Sequence, residues 1–159
     1  KRDGKGAFTV NIGLVEQGEP TLGVVYAPAL GRLFSGSKTL GAKEGNRSIA
    51  VRRVPQSGPV AVASLSHRDA DTNAWLEDHA IVRTTAIGSS LKFCLLAAGE
   101  ADVYPRFSPT MEWDTAAADA ILRAAGGMVT TPDGLAFRYG KPDYRNTPFI
   151  AWGAHGSGD

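Results

Sequence analysis

The sequence predicts an α/β protein. Apolar residues alternate in short runs near the start, strand-like and helix-like stretches then take turns, and a Pro/Gly/Ser patch separates the two regimes. The chain's 159 residues suffice for one ordinary domain with a core. Apolar residues make up 43% and charged residues 21%, a globular rather than disordered balance. A net charge of +1 gives no electrostatic case for nucleic acid or a membrane surface. The single cysteine, Cys94, excludes an internal disulfide framework and a cysteine zinc cluster, which fits a reducing cytoplasm. No apolar run reaches the roughly 18–20 residues that a bilayer span needs. No signal-peptide pattern opens the chain either.

The elements follow in order. Phe8, Val10, Ile12 and Leu14 alternate, the mark of a half-buried strand. Gln17-Gly-Glu-Pro20 is a turn, and Leu22 to Tyr26 resumes a strand, which makes a hairpin. Leu33 to Ser35 and Lys38 to Leu40 are short further strands, and Glu44-Gly-Asn46 is another turn. Residues 1–55 therefore predict an antiparallel meander of strands, bounded by Val54-Pro-Gln-Ser-Gly-Pro59. Residues 60–153 predict a carboxy-terminal, mostly parallel α/β domain, and 154–159 a tail. Within that domain come strands at Val60 to Leu65 and Ile81 to Ala86, with a helix at Thr72 to His79 between them. Leu91, Cys94, Leu95 and Ala98 share one helical face, capped by Ser89 or Ser90 and ended by Gly99. Asp102 to Arg106 is a strand, Asp114 to Ala125 a helix closed by Gly126-Gly127, and Met128 to Thr131 and Phe149 to Trp152 are the last strands. The opening Lys1-Arg-Asp-Gly-Lys-Gly6 has no initiator methionine and no lead-in element, which predicts a fragment.

Polar residues gather where strands give way to helices, the edge at which open α/β sheets bind ligands. Asp114 precedes an alanine-rich run. It reads as the N-cap of a helix, or as a magnesium ligand beside a helix N-terminus that faces a phosphate. His67, in Ser64-Leu-Ser-His67, reads equally as a ligand contact or as a polar loop residue. No Gly-x-Ser-x-Gly elbow supports a nucleophilic dyad. Gly88-Ser-Ser-Leu-Lys92 offers hydroxyls, backbone N–H groups and an ammonium to an anion, although caps and an exposed lysine explain the same residues. Arg106, in Tyr104-Pro-Arg-Phe107, can clamp an anion or stack on a flat base. Successive junctions of this kind predict a shared anion site. No Walker loop and no dinucleotide fingerprint is present. Cys94 lies on the apolar face of its helix and reads as core.

These residues, in this order, resemble the inositol-monophosphatase-like superfamily of magnesium-dependent, lithium-sensitive phosphatases. Within it they are most similar to the bacterial, sulfur-assimilation type of 3'(2'),5'-bisphosphate nucleotidase. Trp113-Asp114, the alanine helix and Gly126-Gly127 resemble the superfamily's carboxy-terminal signature, with Ala118 where glycine is usual. "GSSLKFC" and "YPRF" point to the nucleotidase branch. The resemblance implies a layered α/β/α/β/α sugar-phosphatase-type fold, in which the strands of residues 1–55 belong to an incomplete amino-terminal layer, and the hydrolysis of 3'-phosphoadenosine 5'-phosphate with Mg²⁺. It implies Asp114 as a metal ligand, with His67, Ser89, Lys92 and Arg106 contacting the nucleotide and its phosphates. The family's upstream glutamate and its Asp-Pro-Leu-Asp-Gly-Thr loop are absent from these residues, so little or no activity is expected of this chain alone. The alternatives are an inositol-phosphate or sugar-bisphosphate phosphatase, or a non-catalytic nucleotide-binding fragment. Strands without a covering layer also predict a homodimer or other association.

Overall fold

The computed structural model describes residues 8–63 and 69–154. Its first half is an antiparallel meander: β1 (Val10–Glu16), β2 (Glu19–Ala27), β3 (Arg32–Ser37), β4 (Gly41–Glu44) and β5 (Arg47–Ile49), side by side in chain order. Lys38 to Leu40 form the turn between β3 and β4 rather than a strand of their own. The Leu40 side chain stands 81% exposed there, so its apolar character is no strand signal.

The second half interleaves β6 (Val60–Ala63), α1 (Ala70–Asp78), β7 (Arg83–Ala86), α2 (Leu91–Ala97), β8 (Val103–Arg106), α3 (Glu112–Ala124), β9 (Met128–Thr130) and β10 (Phe149–Trp152). The sheet order is β7-β6-β8-β10-β9. The mostly parallel reading holds for β7-β6-β8 and stops there. β10 runs antiparallel to both β8 and β9. Parallel neighbours need a crossover, and α1 and α2 supply one each. Between β9 and β10 lies only a three-residue 3₁₀ turn, Pro142–Tyr144, and no α-helical crossover, so the chain returns antiparallel.

α2 and α3 lie between the two sheets, and α1 covers the far face of the second. The first sheet meets α3 through a track of minimal side chains. A Cβ added at Gly23 would fall 1.9 Å from the Ala117 carbonyl oxygen, and one at Gly36 would fall 2.8 Å from the Ile121 Cα. The alanines of α3 match those glycines, so helix and sheet backbones approach closely. Val25 and Phe34 join Leu91, Leu96, Ile121, Leu122 and Phe149 in one core that spans both sheets. Cys94 is fully buried in that core, and burial pushes its thiol pKa up, as its helical face predicts.

The opposite face of the first sheet reverses the half-buried reading of β1. Val10, Ile12 and Leu14 pair with Tyr26, Val24 and Leu22, and this apolar face turns away from α3. Ile12 is 63% exposed. The side facing the helix carries Asn11 and Gly13 instead, because the close helix leaves no room for larger groups. No other layer covers the apolar face among the described residues.

The crossing between sheets is clamped. The Val51 N–H donates to the Ala125 carbonyl at 3.0 Å, and the Arg52 guanidinium forks onto both Asp102 carboxylate oxygens at 2.9 Å each. The Val60 N–H adds a bond to the same carboxylate at 2.7 Å. Burial works against the Asp102 charge, yet Arg52 and that amide hold its pKa below the usual range.

Candidate functional site

In the parallel set β7-β6-β8, the strands end at one edge, and the segments leaving β7 and β8 border a cavity of about 300 Å³. Ser89, Lys92, Arg106 and Asp114 all line it, joined by Asn11, Gly88, Ser90, Phe93, Tyr104, Thr110 and Thr115. His67 lies outside the described residues.

Ser89 adopts a left-handed backbone, φ +64°, which costs a non-glycine residue roughly 1–3 kcal/mol where its surroundings impose it. Its hydroxyl bonds to that of Thr9, and its carbonyl accepts from the Lys92 ammonium at 3.0 Å. Ser90 occupies the N-cap position of α2 but makes no capping bond with its side chain. It donates instead to the Asn11 side-chain oxygen Oδ1 at 2.6 Å, across the gap between the two sheets.

Lys92 is 5% exposed, contrary to the reading of an exposed lysine. Its ammonium sits 5.1 Å from the centre of the Tyr104 ring and has no carboxylate partner among the described residues. Burial, aided by the neighbouring Arg106 charge, brings its pKa down to about 8. Arg106 donates to the Ser108 carbonyl at 3.1 Å and likewise lacks a carboxylate partner among the described residues. Tyr104 is held neutral, its pKa pushed up to about 12 chiefly by burial. Two cations without counterions on one wall make a site suited to an anion.

Asp114 is not the N-cap. α3 begins at Glu112, and Asp114 is its third residue, accepting the Met111 N–H at 3.0 Å. This bond satisfies an orphan donor of the helix start, the reciprocal half of a capping box. The first turn is held from behind by Asn146, whose buried amide contacts Thr110 Oγ1, the Met111 carbonyl and Thr115 Oγ1 at 2.9–3.1 Å. The Glu112 carboxylate is fully engaged. It accepts from the Gly140 and Lys141 amides at 2.9 Å and pairs with the Lys141 ammonium. Among the described residues no three His, Cys, Asp or Glu side chains gather at one point. Magnesium requires near-octahedral oxygen ligation, so these residues do not build a magnesium site by themselves.

The sequence reading missed Asn11, Thr110 and Thr115. Asn11 had a signal, a lone amide among the apolar residues Val10, Ile12 and Leu14.

The sequence profile of the inositol monophosphatase family matches residues 3–156. The chain belongs to the inositol monophosphatase family. As a family member it is 45% identical over 142 residues to the 3'(2'),5'-bisphosphate nucleotidase CysQ of Escherichia coli, a match covering 87% of this chain and 56% of that protein. The CysQ crystal structure from Bacteroides thetaiotaomicron, described as a bacterial member of the family, superposes with a TM-score of 0.80 at 38% identity. That match covers 94% of this chain and 64% of the other. The inositol monophosphatase of Anabaena follows with a TM-score of 0.77 at 28% identity, over 93% of this chain and 60% of that one. The chain therefore spans a little over half the length of the curated nucleotidases it matches.

Proposed function

We propose that the cavity binds the phosphate of a nucleotide, and that this chain is the substrate-holding part of a phosphoric monoester hydrolase acting on 3'-phosphoadenosine 5'-phosphate. The observation that carries the reading is Lys92, a buried ammonium with no carboxylate partner among the described residues, beside an equally unpartnered Arg106. A cation is kept in such a place at a cost in stability, and a bound phosphate repays it with charge-assisted hydrogen bonds. Ser89 stands beside Lys92 to take the same anion, and the first turn of α3 borders the cavity with its positive end. The nucleotidase names of the relatives favour a bisphosphate nucleotide over inositol phosphate.

Magnesium is the cation the family resemblance implies, and Asp114 is the oxygen ligand this chain brings to it. His67 belongs to the proposed nucleotide contacts by resemblance. With Asp114 alone, the 159 residues should show little or no magnesium-dependent turnover. The substrate reading is tested by calorimetry of this chain with adenosine 3',5'-bisphosphate and with inositol 1-phosphate. The bisphosphate should bind about tenfold tighter or better, since it can use both cations. Equal affinity, or a preference for inositol 1-phosphate, sinks the substrate choice, and robust turnover by the chain sinks the metal argument.

The pKa of Lys92 sets the pH dependence of binding. Phosphate monoesters are dianions above neutral pH, so any loss of affinity there reports the protein. With Lys92 near 8, affinity for AMP should fall by up to about tenfold between pH 7 and pH 9. Titrations across that range check it, and a flat profile places the anion elsewhere.

The domain reading stays with this proposal: residues 1–55 as part of an amino-terminal layer, 60–153 as the carboxy-terminal α/β unit, 154–159 as a tail. A reducing, cytoplasmic setting goes with the lone buried thiol. No described helix is long and apolar enough to cross a membrane. The uncovered face of Val10, Ile12, Leu14, Leu22, Val24 and Tyr26 favours a homodimer. Sedimentation should show association that Ile12→Lys reverses; a wild-type chain that stays monomeric at high concentration contradicts this.

A further inference from the structure

We propose that Lys92 is an acylation site, and that the donor it takes is an acyl phosphate held in the same anion cavity. The inference rests on the phosphate-binding reading above. The Lys92 side chain is buried yet lines the cavity, so a reagent reaches its nitrogen only through the space an anion would fill. That nitrogen donates to the Ser89 carbonyl at 3.0 Å and lies 5.1 Å from the centre of the Tyr104 ring. Neither neighbour is an anion that would lock it in its charged form. A neutral amine can keep one N–H on the carbonyl and turn the other to the ring face, which leaves its lone pair free. Burial, aided by the Arg106 charge, brings the pKa to about 8, so at pH 7 about a tenth of Lys92 is free amine, against less than about a thousandth of an ordinary lysine.

Arg106 lines the same cavity and stays charged at any ordinary pH, so it holds a phosphate whether or not Lys92 carries its proton. In an acyl phosphate the carbonyl carbon is bonded to a phosphate oxygen. A phosphate placed between these two side chains therefore brings that carbon beside the Lys92 nitrogen, and proximity of this kind makes a bimolecular reaction a local one. The amine lone pair adds to the carbonyl carbon. The carbon–oxygen bond to the phosphate then breaks, its electron pair leaves with the phosphate, and the phosphate takes the proton released by the nitrogen. The products are an amide at Lys92 Nζ and inorganic phosphate, with nothing oxidised or reduced. The amide has lost the positive charge, and its acyl group occupies the space that a nucleotide phosphate needs. Acylation thus closes the site to its ligand.

The test is peptide mass spectrometry of the chain after timed incubation with acetyl phosphate. The exposed Lys38 and Lys43 serve as references within the same molecule. Lys92 should acetylate about tenfold faster than either, and its advantage should be about tenfold larger than with the succinimidyl ester of acetic acid, a donor without phosphate. Saturating AMP or inorganic phosphate should slow Lys92 alone. Arg106→Gln should remove the advantage that is specific to acetyl phosphate, and the competition on the wild type serves if that variant melts early. The acetylated chain should bind AMP about 30-fold more weakly. Acetylation of Lys92 no faster than that of the references overturns the proposal. An equal advantage with the phosphate-free ester, or no protection by phosphate, overturns the docking of the donor. Calorimetry on the same sample separates the two readings. A chain that binds phosphate but spares Lys92 refutes acylation alone, whereas failure to bind phosphate or AMP refutes the anion site as well.

Discussion

Lys92→Met should lose binding of phosphate monoesters by about 30-fold or more and should at the same time melt at a higher temperature than the wild type near pH 7. The first effect follows from removing a buried charge-assisted donor, worth about 2 kcal/mol or more. The second follows from the protein groups that surround the ammonium: one carbonyl at 3.0 Å, an aromatic face, and a like charge on Arg106. Replacing an uncompensated buried charge by an apolar group of similar length typically gains about 1–3 kcal/mol. The sign can be checked against pH. Because the folded-state pKa is lowered to about 8, the unfolded chain binds more protons between there and the ordinary lysine value of about 10.4. Wild-type stability should therefore rise with pH through that window, and the rise should vanish in Lys92→Met. Melts at pH 7 and pH 9.5, paired with AMP titrations, measure both effects. A variant that loses stability and keeps its affinity would make Lys92 a structural residue.

Gly23→Ala should be among the most destabilising single methyl additions in the chain, by about 3 kcal/mol. Its new Cβ would lie 1.9 Å from a backbone oxygen of α3, an obstruction that no side-chain rotation relieves. β2 is hydrogen-bonded on both sides, to β1 and β3, so it cannot move away from the helix alone. For a chain of this length about 3 kcal/mol corresponds to a fall of roughly 6–12 °C in melting temperature. The damage should also reach the cavity, since the displaced helix carries Asp114 and Thr115. A melting temperature within 2–3 °C of wild type, about the effect of 1 kcal/mol, would show that the helix rides more loosely on the sheet than this geometry allows.

Much of the site was legible because its parts are local. "GSSLK" follows one strand-like stretch and "YPR" closes another, and a parallel arrangement of such strands brings their far ends together. Ser89, Lys92 and Arg106 came from that rule, and Asp114 from its place before a helical run. What was not legible depends on distance or on layering. Asn11 meets Ser90 across 79 positions of sequence, and nothing in either stretch specifies the other. The burial of Lys92 escaped the helical-face argument because α2 is buried on every side: all its residues, from Leu91 to Ala97, are interior. A helix between two sheets has no solvent face on which to place a lysine.

Asp114 shows the limit of cap preferences. Asp is a favoured N-cap, but it is also suited to the third position, from which its carboxylate reaches back to an orphan amide. Asn146, more than thirty residues further on, holds Thr110 and Met111 so that the helix starts at Glu112. β1 shows the complementary limit. Its alternation correctly announced a strand, but which face is covered depends on what packs there, and here the glycine side takes the helix.

The central claim, that Lys92, Arg106 and Asp114 border one anion site, is tested most directly by a ¹⁵N NMR titration of the chain with AMP. The account predicts shifts concentrated at the amides of Gly88, Ser89, Ser90, Lys92, Arg106 and Asp114, and their loss in Lys92→Met. Saturable binding that leaves those amides unmoved, or shifts centred elsewhere in the fold, would contradict it.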